Sequence, residues 1–299
     1  KVSDDDVLIP FFKNYLQENP NIFSQAKGRW IKLKPTTVKT KYQSIATFEE
    51  YEKFSGEKIL FSRLDLKFYE RLRVYLIGVK NLAPNTCGRI VKDLKAICAY
   101  AVEKGVHVNP EHRKRQFRVD WVDVENVYLN LEELARIENL ELTPGHDRAR
   151  DLFLIGCYTG LRFVDFTQLK EHHVKENVIE VNTQKTGEKV AIPVHPTVRK
   201  ILIKHGGPPP PLPNQVLNRY IKEVCEKASI FDQVEVKRFE NGREITELKR
   251  KCDLVVTHTA RRSFATNGFL AGIDSITLMK MTGHKSEKNF LKYIKVSAF

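Results

Sequence analysis

The first third of the chain has apolar residues at helical spacing in four successive segments. Apolar residues that return every three or four positions form a stripe along one side of an α-helix. Proline-containing start signals at 34–37 and 83–86 precede the second and fourth segments. The stripes are a run within 6–16, then Tyr42, Ile45, Phe48 and Tyr51, then a run within 64–79, and finally Ile90, Leu94, Ile97 and Ala101. Four helices with short connections predict a bundle of about 110 residues.

A second helical region begins near residue 127. Asn130 and Glu133 have the spacing of a capping box, in which each side chain bonds the backbone of the other at a helix start. Residues 148–159 are strongly apolar and end at Gly160, which predicts a buried helix. Further helices are predicted at 165–169, 197–205, 217–228 and within 257–293, and the proline-rich segment 206–213 predicts a loop.

Two segments of this region have the period of β-strands. Residues 178–194 alternate between apolar and polar positions, which predicts a β-hairpin with Lys185 at its tip. Residues 234–256 predict a second hairpin around Asn241 and Gly242, a strong turn signal. The sequence therefore predicts a mainly α protein of two domains. These are a four-helix-type bundle at 1–108 and a mostly helical, mixed α/β domain with a small hairpin at 127–299, joined by a linker at 109–126.

The predicted linker is dense in basic residues. Its segment 111–118 lacks helical periodicity, which leaves two interpretations open: a solvated linker, or a strap along a phosphate backbone. The whole chain has 50 Lys and Arg against 37 Asp and Glu, and this net charge of +13 favours a nucleic-acid partner. The residues predicted to contact DNA are Lys39, Lys41, Arg113, Lys114 and Arg115.

The composition argues against several classes of protein. Hydrophobic residues fill 41 % of the 299 positions, and no apolar run approaches the roughly 18 residues of a membrane span. No signal peptide is visible, so a cytoplasmic location is expected. The five cysteines are scattered without a C-x-x-C pair, which argues against a disulfide framework and a zinc site. Because the sequence starts at Lys1, we expect it to be a fragment of a longer protein.

The closing stretch, 257–293, gathers candidate catalytic residues. His258 and Arg261 are three positions apart and share one face of a helix. His284 follows a glycine that ends a helix, and Tyr293 comes nine residues later. With two cationic residues from upstream, the set suits an anionic substrate and a tyrosine nucleophile. The full set is Arg162, Lys185, His258, Arg261, His284 and Tyr293.

Four sequence blocks contain these residues. They read T-G-L-R-F-V-D-F-T-Q-L at 159–169, Q-K-T-G-E-K at 184–189, H-T-A-R-R-S-F-A-T at 258–266 and T-G-H-K-S-E-K-N-F-L-K-Y at 282–293. In order and spacing they resemble the tyrosine recombinase (phage integrase) family. Their amino-acid sequences are most similar to those of integrases from mobile elements of Bacteroidetes-type bacteria. The resemblance covers the second domain, and the first is similar in size to the family's SAM-like core-binding domain.

The resemblance implies DNA cleavage by a tyrosine. Tyr293 would attack the scissile phosphate and form a 3′-phosphotyrosyl link. Arg162 and Arg261 would hold the non-bridging oxygens, since planar guanidiniums suit phosphate. These cations supply positive charge that metal ions supply elsewhere, and the phosphotyrosyl link conserves the bond energy. The resemblance therefore implies a reaction without a metal, ATP or another cofactor.

The same resemblance assigns the proton transfers and one supporting residue. Lys185 would be the general acid for the leaving 5′ oxygen, and His258 would assist proton transfer at the tyrosine. His284 would hydrogen-bond the phosphate and orient the site. Asp165, one helical turn after the first arginine, would hold that arginine or support the fold.

Partners and alternatives follow from the family as well. The expected partner is double-stranded DNA with recombination core sites, bound by a homo-tetramer that assembles from monomers in the bacterial nucleoid, with accessory DNA-bending proteins of the host or the element and no membrane. The expected outcome is integration or excision of a mobile element. Two alternatives stay open: DNA relaxation in the manner of a type IB topoisomerase, and DNA binding without catalysis. Family members often carry a further N-terminal domain and a C-terminal tail, and we expect both to have been removed or shortened here.

Overall fold

The computed structural model of the protein describes residues 6–18, 21–24, 29–107, 109–118, 121–123, 125–240 and 242–295. Their contacts separate two units: one lies within 1–124 and 237–246, and the other lies within 125–236 and 247–299. The described residues are mainly helical, with three two-stranded β-sheets, so the predicted fold class is confirmed. The described helices include none that is long and apolar enough to cross a membrane.

The helices of the first unit enclose one apolar core. Its helices and strands are α1 (Leu8–Glu18), β1 (Asn21–Ser24), β2 (Arg29–Lys32), α2 (Pro35–Ser55), α3 (Leu66–Val74) and α4 (Pro84–Glu103), with shorter helical turns at Phe61–Arg63, Tyr75–Val79 and Glu111–Arg113. The predicted stripes face inward: Phe48 of α2 and Leu94 of α4 are fully buried. The antiparallel pair of β1 and β2, with Ile22 opposite Ile31, was not predicted, because four-residue strands leave little periodicity to detect.

One position on α2 contradicts the predicted pattern. Lys41 is only 6 % exposed, and its Nζ lies 2.9 Å from Asp93 Oδ1 on α4. Ser44 donates to the other carboxylate oxygen of Asp93 at 2.7 Å, while Tyr42, predicted on the apolar stripe, is 37 % exposed. A carboxylate largely withdrawn from water is stabilised by a cation and hydrogen bonds, and Lys41 turns inward to supply the cation while Ser44 supplies a hydrogen bond. The prediction that Lys41 contacts DNA is therefore wrong, whereas Lys39 is exposed.

Residues 109–118 pack on the first unit instead of forming a separate linker. Phe117 is fully buried, and its ring stacks on that of Tyr69 with centroids 4.5 Å apart. Lys95 Nζ donates to the Phe117 carbonyl at 2.7 Å, and His112 is buried as well. The predicted basic residues of this segment, Arg113, Lys114 and Arg115, are exposed. One side of the segment therefore packs on the first unit, and the other side exposes its basic residues to solvent.

The second unit contains the remaining helices and strands. They are α5 (Leu131–Glu138), α6 (Pro144–Thr159), α7 (Phe163–Phe166), β3 (Val178–Asn182), β4 (Lys189–Pro193), α8 (Pro196–His205), α9 (Asn214–Lys227), β5 (Gln233–Glu240), β6 (Arg243–Arg250), α10 (Lys251–Leu254), α11 (Thr257–Leu270), α12 (Ser275–Thr282) and α13 (Glu287–Leu291). The outer residues of β5 and β6 belong to the first unit's range given above.

Helix α6 forms the centre of the second unit. It contacts α9 and α11, and Leu152, Phe153 and Ile155 are fully buried, as its apolar sequence predicts. The capping box at the start of α5 is also confirmed, since Asn130 accepts the backbone N–H of Glu133 at 2.8 Å and Glu133 accepts that of Asn130 at 2.7 Å. These local signals fix where α5 begins and place α6 in the core.

Both predicted hairpins are present, and the second is shorter than predicted. Strands β3 and β4 pair with Val178 opposite Pro193, so that the predicted apolar set faces the core and the turn after Asn182 carries Lys185. Strand β6 ends at Arg250, and α10 fills the end of the predicted strand segment. In the predicted turn, Gly242 has φ of 77°, and Asn241 lies outside the described residues.

Candidate active site

Helix α11 holds the most buried cation of the molecule's described part. Arg261 is 1 % exposed, and its Nη1 donates to the carbonyl of Gly160 at 2.7 Å. His258, three residues earlier, lies on the same face, as the spacing predicts. A guanidinium that bonds a carbonyl at the end of α6 joins α11 to the segment that carries Arg162.

Gly160 is the residue that allows this approach. It ends α6 with φ of 66°, a left-handed conformation that favours glycine. A Cβ atom at this position would lie 2.4 Å from the ring of Phe264 on α11 and 2.9 Å from Thr282 on α12. The close contact lets the chain turn directly into Arg162, the residue before α7, whose Nη1 is buried without a hydrogen-bond partner among the described residues.

Asp165 anchors the turn that carries Lys185. The carboxylate is 6 % exposed, and its Oδ1 accepts a hydrogen bond from the backbone N–H of Gln184 at 2.9 Å. Gln184 precedes Lys185 in the β3–β4 turn, and its side chain also donates to the carbonyl of Val164 at 3.3 Å. Of the two roles predicted for Asp165, the geometry favours support of the fold, because the carboxylate ties α7 to the turn.

His284 is oriented by the end of α12. The helix ends at Gly283, which has φ of 66°, so that the next residue turns back toward α11. Thr282 gives its single hydroxyl proton to the carbonyl of Leu278 at 2.6 Å, and its oxygen lies 2.8 Å from His284 Nδ1. We therefore assign the imidazole proton to Nδ1, which leaves Nε2 as an acceptor 3.1 Å from Arg261 Nη2.

Tyr293 follows α13 and lies among the candidate residues. Its hydroxyl is 2.8 Å from His258 Nε2. Its ring centroid is 4.7 Å from that of His284 and 5.7 Å from the guanidinium carbon of Arg261. Phe290, one turn earlier, is fully buried and anchors the short helix. Tyr293 therefore forms one contiguous cluster with His258, His284 and Arg261.

An open cleft of about 620 Å³ gives access to this cluster. Five of the six candidate residues line it, and the sixth, Arg261, lies beneath its floor. The residues that line the cleft are Arg162, Phe163, Val164, Lys185, His258, His284, Asn289, Lys292 and Tyr293. An extended anion that enters the cleft would thus meet several cationic groups and the tyrosine hydroxyl together.

The surroundings keep both histidines neutral near pH 7. Burial, followed by the charges of Arg262 and Arg261, lowers the pKa of His258 from 6.5 to about 4. Burial, followed by Arg261, lowers the pKa of His284 to about 3. Burial and neighbouring Arg162 also lower the pKa of Arg261 to about 10, so this guanidinium keeps its charge. A neutral His258 beside the tyrosine hydroxyl can accept a proton.

Comparison with known protein families identifies the chain. The model of the phage integrase family matches residues 128–298, more than half of the chain. The chain belongs to the phage integrase family. A second model, the phage integrase SAM-like domain, matches residues 7–116, so both units of the chain have counterparts in the family. The family assigned from the four sequence blocks is thereby confirmed.

Individual relatives are distant in sequence. A candidate integrase of Pseudomonas phage Pf1 is 21 % identical over 270 residues, which cover 90 % of this chain and 74 % of that protein. A lambda integrase dimer bound to a COC′ core site has a TM-score of 0.70 at 17 % identity, with 97 % of this chain and 95 % of that chain covered. The Tn1549 transposon integrase in complex with circular intermediate DNA has a TM-score of 0.66 at 15 % identity, with coverages of 98 % and 96 %. At these identities the two structures show a shared fold.

Four residues that line the cleft were not singled out from the sequence. They are Phe163, Val164, Asn289 and Lys292, which lie within the quoted blocks, but each has an ordinary explanation as a residue of a short helix or its end. Among the predicted DNA contacts, only Lys41 is buried. These residues lie one to four positions from Arg162 or Tyr293, and this closeness in sequence could have predicted that they line the same cleft.

A cluster with possible metal ligands lies outside the cleft. Ligand atoms of Asp147, Asp151 and His205 come within 4.8 Å of one another. Lys204 Nζ lies 2.7 Å from Asp151 Oδ2, and Arg150 Nε donates to Asp151 Oδ1 at 2.9 Å. Since cations already bond these carboxylates, the cluster is an ion-pair network that joins α6 to α8.

Proposed function

We propose that the protein is a site-specific DNA recombinase that cuts and rejoins strands through a 3′-phosphotyrosyl link. One observation carries this proposal: the Tyr293 hydroxyl lies 2.8 Å from the neutral ring of His258, inside a cleft lined by Arg162 and Lys185. A nucleophile, a proton acceptor and cations for a phosphate are thus available in one place.

Cleavage begins with the nucleophile. Tyr293 Oη attacks the scissile phosphorus while its proton passes to His258 Nε2. The new P–O bond to tyrosine forms as the bond between phosphorus and the 5′ oxygen breaks. Lys185 donates a proton to that leaving oxygen and generates a 5′-hydroxyl. A 5′-hydroxyl of another strand then attacks the phosphotyrosine, and the proton transfers run in reverse, which rejoins the DNA and restores the tyrosine.

The arginines stabilise the charge that develops during attack. The buried, unpartnered Nη1 of Arg162 offers a donor for a non-bridging oxygen. Arg261 supplies a second positive charge from beneath the cleft floor. A bound phosphate would counter the charge of Arg261, which after burial lowers the pKa of His284, and so would favour a protonated ring that donates to the phosphate.

The wider assembly belongs to the same proposal. A solved relative is a lambda integrase tetramer bound to a Holliday junction. By analogy, four copies of this protein would join two duplexes at core sites, with accessory DNA-bending proteins, to integrate or excise a mobile element of a Bacteroidetes-type bacterium. We place this activity at the bacterial nucleoid, where the substrate DNA lies.

A covalent trap tests the proposal. The protein is incubated with a pool of nicked duplexes of randomised sequence, in which the cleaved strand diffuses away and leaves the adduct trapped. The wild type and the control Tyr158→Phe, whose ring stacks on His195 outside the cleft, should form an adduct resistant to detergent. Tyr293→Phe should form none. An adduct with Tyr293→Phe would refute the assigned nucleophile, and relaxation of supercoiled DNA without strand exchange would favour a topoisomerase.

A further inference from the structure

Thr266, two turns after His258 on α11, contacts the backbone of Tyr293 and of the second residue after it. The side chain is fully buried. Its hydroxyl donates to the backbone carbonyl of Tyr293 at 3.0 Å and accepts from the backbone N–H of Lys295 at 3.2 Å. We propose that Thr266 is a positioning residue that fixes the nucleophile segment in its attacking position; this inference rests on the proposed function.

The arrangement around Tyr293 supports this role. A single helix, α11, holds the tyrosine at three points: His258 bonds its hydroxyl, Arg261 lies over its ring, and Thr266 bonds its carbonyl. Residues three, four or eight positions apart on an α-helix point to the same side, so His258, Arg261 and Thr266 all face the tyrosine from α11. Because the helix that carries His258 and Arg261 also positions the tyrosine, the separation between these three side chains is set by one rigid element.

The nucleophile segment needs such an external partner. Helix α13 has only five residues, Glu287–Leu291, and a helix this short is not stable by its own hydrogen bonds. Two and four residues after its end, the carbonyl of Tyr293 and the N–H of Lys295 lie outside the helix, and Thr266 bonds both. Phe290 anchors the helix by burial, and its carbonyl accepts from the Tyr293 N–H at 2.8 Å, but neither contact holds the Tyr293 carbonyl or the Lys295 N–H.

A buried hydroxyl can also serve the fold alone, and α11 offers a matched example. Ser263 is fully buried and accepts from the backbone N–H of Leu129 at 2.9 Å, away from the tyrosine. Its removal costs a buried hydrogen bond of the same kind without touching the nucleophile segment. Comparison of the two hydroxyls therefore separates positioning from stability.

The variants are Thr266→Val, which keeps the shape and removes the hydroxyl, Thr266→Ser, which restores it, and the control Ser263→Ala. With the nicked duplex pool, we expect Thr266→Val to form the covalent adduct about tenfold more slowly, since one buried hydrogen bond is worth about that factor. DNA affinity in gel shifts should stay the same. Thr266→Ser should recover the rate to within about twofold of the wild type, and Ser263→Ala should match the wild type.

Two measurements on the protein without DNA test the same contact. In the wild type, hydrogen exchange at the Lys295 amide should be slowed by its bond to Thr266. Trypsin should cut after Lys292 faster in Thr266→Val than in Ser263→Ala. An unprotected Lys295 amide, or a Thr266→Val rate equal to that of the wild type or of Ser263→Ala, would overturn the proposal. Absence of any adduct with the wild type would instead overturn the proposed function and leave the exchange and trypsin results to decide on Thr266.

Discussion

Acid should destabilise the second unit through His258. In the folded protein the pKa of this ring is about 4, against 6.5 when it is unperturbed. Between these two values the unfolded chain binds a proton that the folded protein does not, so the free energy of unfolding falls as the pH falls through that window. The contribution of His258 is fully present above about pH 6.5 and is lost toward about pH 4.

The two pKa values give the size of the effect. Between about pH 7.5 and about pH 5, the linkage relation predicts a loss of about 2 kcal/mol from His258 alone. His284 contributes in the same direction, because burial and Arg261 lower its pKa to about 3. The two rings do not add simply, since a proton on one opposes a proton on the other. The wild type and the variants are therefore compared by how much their free energy of unfolding changes between the two pH values.

Urea unfolding at the two pH values measures this difference. Far-UV circular dichroism follows the whole chain, while fluorescence of Trp30 and Trp121, which both precede residue 125, follows the first unit. His258→Asn should lose about 2 kcal/mol less than the wild type between the two pH values. The control His172→Asn, at an exposed position, should keep the full wild-type loss. If His258→Asn loses as much stability as the wild type, the argument from the buried neutral ring is refuted.

Two further predictions concern stability and use the same urea assay. Gly160→Ala should lower the free energy of unfolding by about 2 kcal/mol or more, because φ is 66° and the new Cβ would lie 2.4 Å from Phe264; unchanged stability would show that Phe264 moves aside at no cost. Lys41→Ala should cost about 1–2 kcal/mol by removing the closer of the two cations beside the largely buried carboxylate of Asp93, which keeps Arg89 at 3.7 Å, whereas Lys39→Ala at an exposed position should change stability by less than about 0.5 kcal/mol. Equal effects of the two lysine variants would contradict the buried pair.

Much of the fold could be predicted because its signals are local. The capping box at Asn130, the apolar sequence of α6 and the alternation of β3 and β4 each act over a few residues, and all three are present in the structure. The failures depend on partners that are distant in sequence. Lys41 is buried because Asp93 lies across the bundle, 52 positions later, and no pattern around Lys41 records this.

The same distinction applies to the candidate site. The spacing of His258 and Arg261 predicts a shared helix face, and the structure brings the six predicted residues together in or beneath one cleft. Their order in the chain does not predict that Arg261 bonds the carbonyl of Gly160, 101 positions earlier. Nor does it predict that Asp165 bonds the turn before Lys185. The catalytic roles of these residues stay a prediction until the covalent trap is carried out.

The electrostatics of the site are more easily explained by catalysis than by stability. Burial and, after it, the neighbouring charge of Arg162 lower the pKa of Arg261, so its surroundings oppose its positive charge. Arg162 Nη1 and Arg261 Nε are buried donors without hydrogen-bond partners among the described residues. Such donors and like charges cost folding energy unless an anion joins them. In the proposed mechanism, a phosphate in the cleft would counter these charges, and the cost met in folding would become stabilisation of the charge that develops on attack by Tyr293.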